Sequence, residues 1–348
     1  MLLSTVAERV YWIGRYVERA EATARLVKVH TELFLDLPRA AGLQWRPLLE
    51  VTGSGSSFDR YRADRPPGPA AGGAAVDAVE SEEEVVHFLL AERASPVSVL
   101  MSIGAARTNM RANRPVLPRM AWEVLNRLSH WSLVSVDAAV HRRTRLGWCA
   151  HVIEELQLLS GILGSTMNHD EAYAFFEMGR QLERADMTTR VLDVQAATLL
   201  DRASPDHGSS DHDASSDNPY ADVTWMGVLC SVSADHTYRQ KFGGGVTAVT
   251  ALRFLLRDPQ FPRSVEHCLT QVARALLELP RYEEPMAATA RLQAELTDID
   301  VNRLATDSAA LHEAVDQLQQ GISAVHVRLA ATYFRVAPRP TVALAAQP

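Results

Sequence analysis

The sequence predicts an all-α protein, an internally duplicated helical bundle with two pseudo-symmetric halves. Apolar residues recur every three or four positions along most of the 348-residue chain, which is the spacing of one face of an α-helix. A charged segment occurs twice without a gap, as IGRYVERAEATARLV over 13–27 and MGRQLERADMTTRVL over 178–192. No convincing alternation of apolar and polar residues indicates a β-strand.

The repeated segment shares its charges as well as its apolar pattern. The identical residues are Gly14/Gly179, Arg15/Arg180, Glu18/Glu183, Arg19/Arg184, Ala20/Ala185, Thr23/Thr188 and Arg25/Arg190. A second repeat, FLLAERASPVSV over 88–99 and FLLRDPQFPRSV over 254–265, lies at nearly the same offset. Because this period is far longer than the roughly 20–50 residues of a solenoid repeat, we interpret it as one duplicated unit. The predicted halves are residues 1–165 and 166–336, followed by a loose tail at 337–348.

The helices can be predicted in chain order from the same spacing. The longest apolar stripe predicts a helix over 4–35, and its counterpart in the second half is predicted over 169–200. Further helices are predicted over 82–92, 96–113, 118–138, 145–165, 222–233, 246–257, 262–279, 285–304 and 307–334, with Pro96 and Pro262 each at a first helical position. Two stretches predict flexible connections: 62–81 is rich in Pro, Gly and Ala, and 201–219 is polar and acidic.

Composition and charge argue against several classes of function. A net charge of −7 is unlike that of a general nucleic-acid-binding protein, which normally presents a basic face. No apolar run reaches the ~18 residues of a membrane span, and Glu8 and Arg9 interrupt any signal-peptide core. Three cysteines lie in apolar helical patterns, which predicts buried thiols in a reducing compartment. We therefore expect a cytoplasmic protein without a membrane or nucleic-acid partner.

The repeated charges are the main candidates for a functional site. Arg15 and Arg19 point away from the main apolar stripe of their helix, but so does Trp12, which predicts that the arginines line an internal surface. Buried arginines need partners, because an unpaired buried charge is costly. The candidate binding residues are Arg15, Arg19, Arg25, Arg180, Arg184 and Arg190, joined by Arg107 and Arg111 of another predicted helix; the candidate catalytic residues are Glu18 and Glu183.

The residues alone leave three interpretations of these charges open. The arginines would bind a carboxylate or a phosphate, or a glutamate would act as a general base beside them, or the Arg and Glu pairs are purely structural. A metal site is disfavoured, because the single Glu84-x-x-His87 falls short of the two such motifs of a di-iron bundle. No Walker lysine follows Gly243–Gly245, and no Rossmann fingerprint occurs, so we predict no intrinsic cofactor or metal.

Three segments together resemble the alpha-E domain family. They are STVAERVYWIGRYVERAEATARL, STMNHDEAYAFFEMGRQLERADMTTRVLD and FLLRDPQFPRSVEHCL, and the resemblance covers roughly residues 1–335. It implies an all-helical fold with a recurring Glu-Arg motif, here Glu18-Arg19 and Glu183-Arg184. Where the family tends to carry Ala-Arg-Glu-Asn-Ala-Arg, this chain has Thr108 in place of the glutamate. The chain therefore departs from the family at a charged position next to the candidate Arg107.

The resemblance also implies partners. Members of the family are typically encoded beside, or fused to, ATP-grasp-type ligases and transglutaminase-like proteins. We therefore expect a helical accessory subunit of a peptide or amide ligase system, which binds a peptide or phosphate-bearing substrate and uses ATP and Mg²⁺ only through its partner. The alternative is an enzyme in its own right that acts on peptide amide bonds with a glutamate as general base. The third expectation is a module in which the Arg and Glu pairs only join the two repeats.

Overall fold

The computed structural model describes residues 2–38, 43–64, 81–196, 221–243 and 245–334. Within these ranges the chain forms sixteen α-helices and no β-strand, which confirms the all-α prediction. The predicted segment 201–219, the tail from 337 and most of 62–81 lie outside the described residues. None of the described helices is long and apolar enough to cross a membrane.

Eight helices lie in the first predicted half. They are α1 (Ser4–Asp36), α2 (Arg46–Val51), α3 (Gly55–Ala63), α4 (Glu82–Leu90), α5 (Val99–Ala112), α6 (Arg119–Val134), α7 (Val136–Val140) and α8 (Arg142–Thr166). A short 3₁₀ turn, Arg114–Val116, connects α5 to α6.

The other eight helices follow in the second predicted half. They are α9 (Glu171–Val191), α10 (Ala221–Ser231), α11 (Asp235–Phe242), α12 (Ala248–Arg257), α13 (Val265–Leu277), α14 (Glu283–Asp298), α15 (Val301–Leu304) and α16 (Ser308–Leu329). One π-helical turn, Leu192–Ala196, continues α9, and another, Ala330–Phe334, continues α16.

Two predicted helix starts were wrong in the same way. Pro96 and Pro262 do not begin helices: each lies two residues before a serine N-cap, Ser98 of α5 and Ser264 of α13, whose hydroxyl accepts a backbone N–H. The hydroxyl cap satisfies a donor that the helix leaves unpaired, so it determines the first residue of the helix more directly than proline does.

Short and interrupted helices account for the remaining differences. The predicted 118–138 helix is divided at Ser135 into α6 and α7, and the predicted 285–304 helix is divided into α14 and α15. Helices α2, α3 and α11 were not predicted, because six to nine residues hold too few turns to show a period. Residues 62–63 belong to α3 rather than to the predicted loop.

The centre of the fold is the contact between α1 and α9, the most extensive between any two described helices. The duplicated glycine permits it. A Cβ atom at Gly14 would lie 2.2 Å from the carbonyl oxygen of Phe176, and one at Gly179 would lie 2.1 Å from that of Tyr11. Any larger residue would push the helix backbones apart, which explains why the repeat retains glycine at this position.

Two helices of each half pack on the central helix of that half. Helices α5 and α8 pack on α1, and α13 and α16 pack on α9. The second helix of each half packs on the central helix of the other: Gly227 of α10 meets Leu33 of α1, and Gly53 beside α2 meets Arg190 of α9. The buried apolar residues of both halves form one hydrophobic core. The two predicted halves thus share a single core, and their origin by duplication stays a prediction from the sequence.

Candidate functional site

The two repeated glutamates lie at the interface between α1 and α9, and each binds arginines across it. Glu183 accepts hydrogen bonds from Arg19 Nε at 2.6 Å and Arg19 Nη2 at 3.0 Å, and a third from Arg15 Nε. All three N–H donors come from the opposite helix. The side chain of Glu183 is only 2% exposed, so these bonds replace its hydration entirely.

Glu18 has the reciprocal arrangement. Arg184 Nε lies 3.1 Å from Glu18 Oε1, and Arg184 Nη2 lies 2.7 Å from Oε2. Arg263, in the connection before α13, donates a third hydrogen bond to Oε1. Each Glu-Arg motif thus supplies a carboxylate to the arginine of the other motif, and the side chain of Glu18 is 1% exposed.

The arginines hold both carboxylates in the ionised form. Burial raises the pKa of Glu18, but the guanidinium groups of Arg184 and Arg263 outweigh it, so the pKa of Glu18 lies well below its usual range. The same balance, with Arg15 and Arg19 opposing burial, lowers the pKa of Glu183. A group that accepts three hydrogen bonds and resists protonation is a weak general base, so the geometry disfavours the predicted catalytic role of Glu18 and Glu183.

A third carboxylate extends the cluster toward α8. Glu21 Oε1 accepts from Arg263 Nη2 at 2.8 Å, from Gln157 of α8 at 3.2 Å, and from Arg25 one turn along α1. Arg25 is 5% exposed, and its Nη1 atom is buried without a hydrogen-bond partner in the described part of the chain. Glu21 and Arg263 were not among the predicted site residues: the repeat places Asp186 opposite Glu21 and Val97 opposite Arg263, so neither is an identical pair.

The remaining repeated arginines are neutralised on their own helix. Arg180 binds Glu177 at 2.8 Å, and Arg190 binds Asp186 at 3.0 Å. Both belong to α9 and neither bonds to Glu18 or Glu183. The structure therefore brings Arg15, Arg19 and Arg184 onto the motif carboxylates and leaves Arg180 and Arg190 beside them.

The candidate residues of the other predicted helix, Arg107 and Arg111, do not bind the motif carboxylates. Arg107 donates to Asn126 Oδ1 at 2.8 Å, and its guanidinium lies 5.6 Å from the centre of the Trp122 ring. Arg114 lies over the same ring at 5.4 Å, and Arg111 is exposed. Arg107 thus joins α5 to α6 through a cation–π contact and a hydrogen bond, instead of contacting the motif carboxylates.

Aromatic residues cover the outer side of Arg15 and Arg19. Trp12 stacks on Tyr16 with ring centres 5.3 Å apart, Arg15 lies over Trp12 and Arg19 lies over Tyr16. Arg15 Nη1 also donates to the buried Tyr11 hydroxyl at 3.1 Å, which lies 2.8 Å from His326 Nδ1 of α16. Sequence reasoning placed Trp12 beside the arginines but missed His326, because 315 positions separate it from Tyr11.

The described residues contain no group of three or more His, Cys, Asp or Glu side chains arranged to hold a metal ion. Cys149 and Cys268 are buried and Cys230 is partly exposed, and all three thiols are free. Burial raises the pKa of Cys149 and of Cys268 to about 12, so neither resembles an activated nucleophile.

Comparison with known protein families agrees with the all-helical fold. A family model described as a predicted alpha-helical domain with a conserved ER motif, named Alpha-E, matches residues 2–334. The chain belongs to the Alpha-E family. The Glu-Arg pairs of the repeated segment, Glu18-Arg19 and Glu183-Arg184, bind each other reciprocally across α1 and α9. The resemblance read from the sequence is thereby confirmed.

Similar proteins occur in mycobacteria. One uncharacterized protein of Mycobacterium bovis and two of Mycobacterium tuberculosis are each 24% identical to this chain over 298 residues. The match covers 79% of the Alpha-E chain but only 30% of each mycobacterial protein. The chain therefore corresponds to less than a third of the length of these relatives. No solved structure matches it.

Proposed function

We propose that the chain is a helical accessory subunit that works with an ATP-grasp-type peptide or amide ligase, and that it binds the ligase or its peptide or phosphate-bearing substrate. What supports this is the state of the motif carboxylates. Glu18 and Glu183 each accept three guanidinium hydrogen bonds. The carboxylates of the repeated motif therefore join α1 to α9 and are not free to take up a proton from a substrate. ATP and Mg²⁺ would be bound by the ligase.

The proportions of the mycobacterial relatives support an accessory role. In each of them the matching region is 30% of a longer chain, so a domain of this kind is covalently joined there to a large further segment. Domains that are fused in one protein commonly act on the same substrate, and fusion raises their effective concentration to about the millimolar range. A separate chain of the same family would need a binding surface for such a partner, either the ligase or a transglutaminase-like protein.

The test is co-expression of the tagged chain with an ATP-grasp-type ligase encoded beside it. Co-purification as a stoichiometric complex, with ligase activity that rises when the helical chain is present, is the expected result. The chain alone should hydrolyse neither ATP nor a peptide. Turnover of either by the purified chain alone, or a ligase that neither binds the chain nor responds to it, would overturn the proposal.

A further inference from the structure

The two copies of the motif differ in how their arginines are neutralised. On α9, Arg180 is paired with Glu177, three residues earlier on the same helix. At the position of Glu177 the α1 copy has Trp12, which carries no charge. Arg15 and Arg19 therefore share one carboxylate, Glu183, and these three side chains carry a formal excess of one positive charge.

The two copies also differ in how many guanidinium N–H groups are occupied. Arg184 uses all three nitrogens, two on Glu18 and the third on the carbonyl oxygen of Pro262 at 3.3 Å. On α1, Arg19 uses Nε and Nη2 for Glu183, and its Nη1 has no partner among the described residues. The Arg19 side chain is 21% exposed against 11% for Arg184. On α9, Arg180 Nε also lacks a partner among the described residues, but it is buried, and Arg180 has a carboxylate of its own in Glu177, whereas Arg15 and Arg19 share Glu183.

The connection before α13 covers the α9 copy. Arg263 in this connection binds Glu18 and Glu21. The position that corresponds to Arg263 in the first repeat is Val97, which cannot make such bonds. The α1 copy is instead bordered by the stacked, partly exposed rings of Trp12 and Tyr16.

The other groups that face Arg15 and Arg19 do not cancel the excess charge. Burial raises the pKa of Tyr11, so its phenol stays neutral. Burial and the charge of Arg15 lower the pKa of His326, so its imidazole is neutral near pH 7. The nearby carboxylate of Asp186 is bound to Arg190. The surface formed by Trp12, Arg15, Tyr16, Arg19 and His326, here called the α1 arginine face, therefore combines an unoccupied guanidinium N–H group with one positive charge in excess of its single carboxylate, Glu183.

We propose that the α1 arginine face binds an oxyanion, the phosphate or terminal carboxylate of a substrate, while the α9 copy is a structural ion-pair cluster. Guanidinium groups with unoccupied N–H bonds bind such anions through charge-assisted hydrogen bonds, which are stronger than neutral ones. The stacked Trp12 and Tyr16 rings offer an apolar surface for the group that carries the anion. The proposal assigns oxyanions as the ligand class of the accessory subunit. It rests on the proposed function only in taking the anion to come from the substrate of the ligase.

The decisive comparison is Trp12→Glu against Trp12→Gln. The glutamate reproduces the Glu177–Arg180 arrangement next to Arg15, while the glutamine has the same size and no charge. Calorimetric titration with inorganic phosphate, acetyl phosphate or N-acetylglycine, at an ionic strength matched with chloride, needs no partner protein. We expect Trp12→Glu to bind at least about ten-fold more weakly than Trp12→Gln, as expected for the loss of one charge-assisted contact. Arg119→Ala, at an exposed arginine of α6, should bind like the unmodified chain.

The titrations identify which anion binds and show which results would overturn the proposal. Binding of the two phosphates alone identifies a phosphate-bearing ligand, and binding of N-acetylglycine alone identifies a peptide carboxylate; both support the proposal. Equal affinities of Trp12→Glu and Trp12→Gln, or no saturable binding of any of the three probes to the unmodified chain, overturns it. If Trp12→Glu does not fold, Tyr16→Glu against Tyr16→Gln repeats the comparison three residues before Arg19. A ligase that fails to bind the chain would overturn the accessory role without affecting this result.

Discussion

Replacing Glu183 with glutamine tests whether the motif ion pairs hold α1 against α9. The substitution keeps the shape of the side chain but removes the charge that compensates Arg15 and Arg19, whose side chains are only 11% and 21% exposed. Breaking a buried pair by removing one partner costs about 3–5 kcal/mol, because the other charge stays buried. Since glutamine still accepts a hydrogen bond and Arg19 is partly solvated, we expect the free energy of unfolding to fall by about 3 kcal/mol, the lower end of that range.

The measurement is urea denaturation followed by circular dichroism, which gives the free energy of unfolding. The matched control is Glu123→Gln, because Glu123 pairs with Arg119 at the surface, where their side chains are 52% and 89% exposed. That change should cost less than about 0.5 kcal/mol, since solvent screens exposed pairs. If Glu183→Gln destabilises the chain by no more than the control does, the ion pairs do not hold the interface. A general-base role would instead predict lost turnover with little loss of stability.

Three further predictions follow from the same contacts. Gly14→Ala should lower the free energy of unfolding by at least about 1–3 kcal/mol, because the new Cβ would lie 2.2 Å from a backbone oxygen. Gly161→Ala, at a helical position with open space around it, should be neutral or stabilising. Urea denaturation compares the two variants, and equal effects would contradict the close-approach argument. Both motif glutamates have lowered pKa values in the folded chain, so their contribution to stability should be complete above the unfolded-state pKa of about 4.3 and fall as the pH drops below it. Urea denaturation between pH 3 and pH 7 measures this. If the unmodified chain loses no more stability in acid than the Glu183→Gln variant does, the prediction is wrong. Cys230, partly exposed with a pKa of about 11, should react with a thiol reagent at pH 8 before the two buried cysteines, which should react only on unfolding; simultaneous labelling of all three would show that the core opens.

The all-α class and the main helices could be predicted from the sequence because they depend on local periodicity. The stripe of α1 appears in the order of its residues, and the structure places a helix at Ser4–Asp36 where 4–35 was predicted. The same information misplaced helix starts at Pro96 and Pro262, since capping by Ser98 and Ser264 depends on single hydrogen bonds rather than on a period. Short helices such as α11 show no period at all.

Part of the candidate site was also readable from the sequence. The repeat singled out Glu18, Glu183 and the arginines that bind them, because a charge retained twice in a helix interior needs a partner. It did not reveal Arg263 or His326, whose contacts join residues 245 and 315 positions apart. No local pattern contains such pairs, because they arise only when distant helices pack together.

The sequence by itself determined that this chain is helical, that it carries two Glu-Arg motifs and that it belongs with the Alpha-E proteins, since periodicity and motif are properties of residue order. Only the tertiary structure decided which arginine binds which glutamate. Each motif is paired with the other copy rather than with itself, because the close approach at Gly14 and Gly179 brings α1 and α9 together. The tertiary structure also decided that Arg263 binds Glu18 in one copy while the stacked rings of Trp12 and Tyr16 border the other, since the neighbours of a helix face depend on which elements pack over it and not on the residues of that face alone.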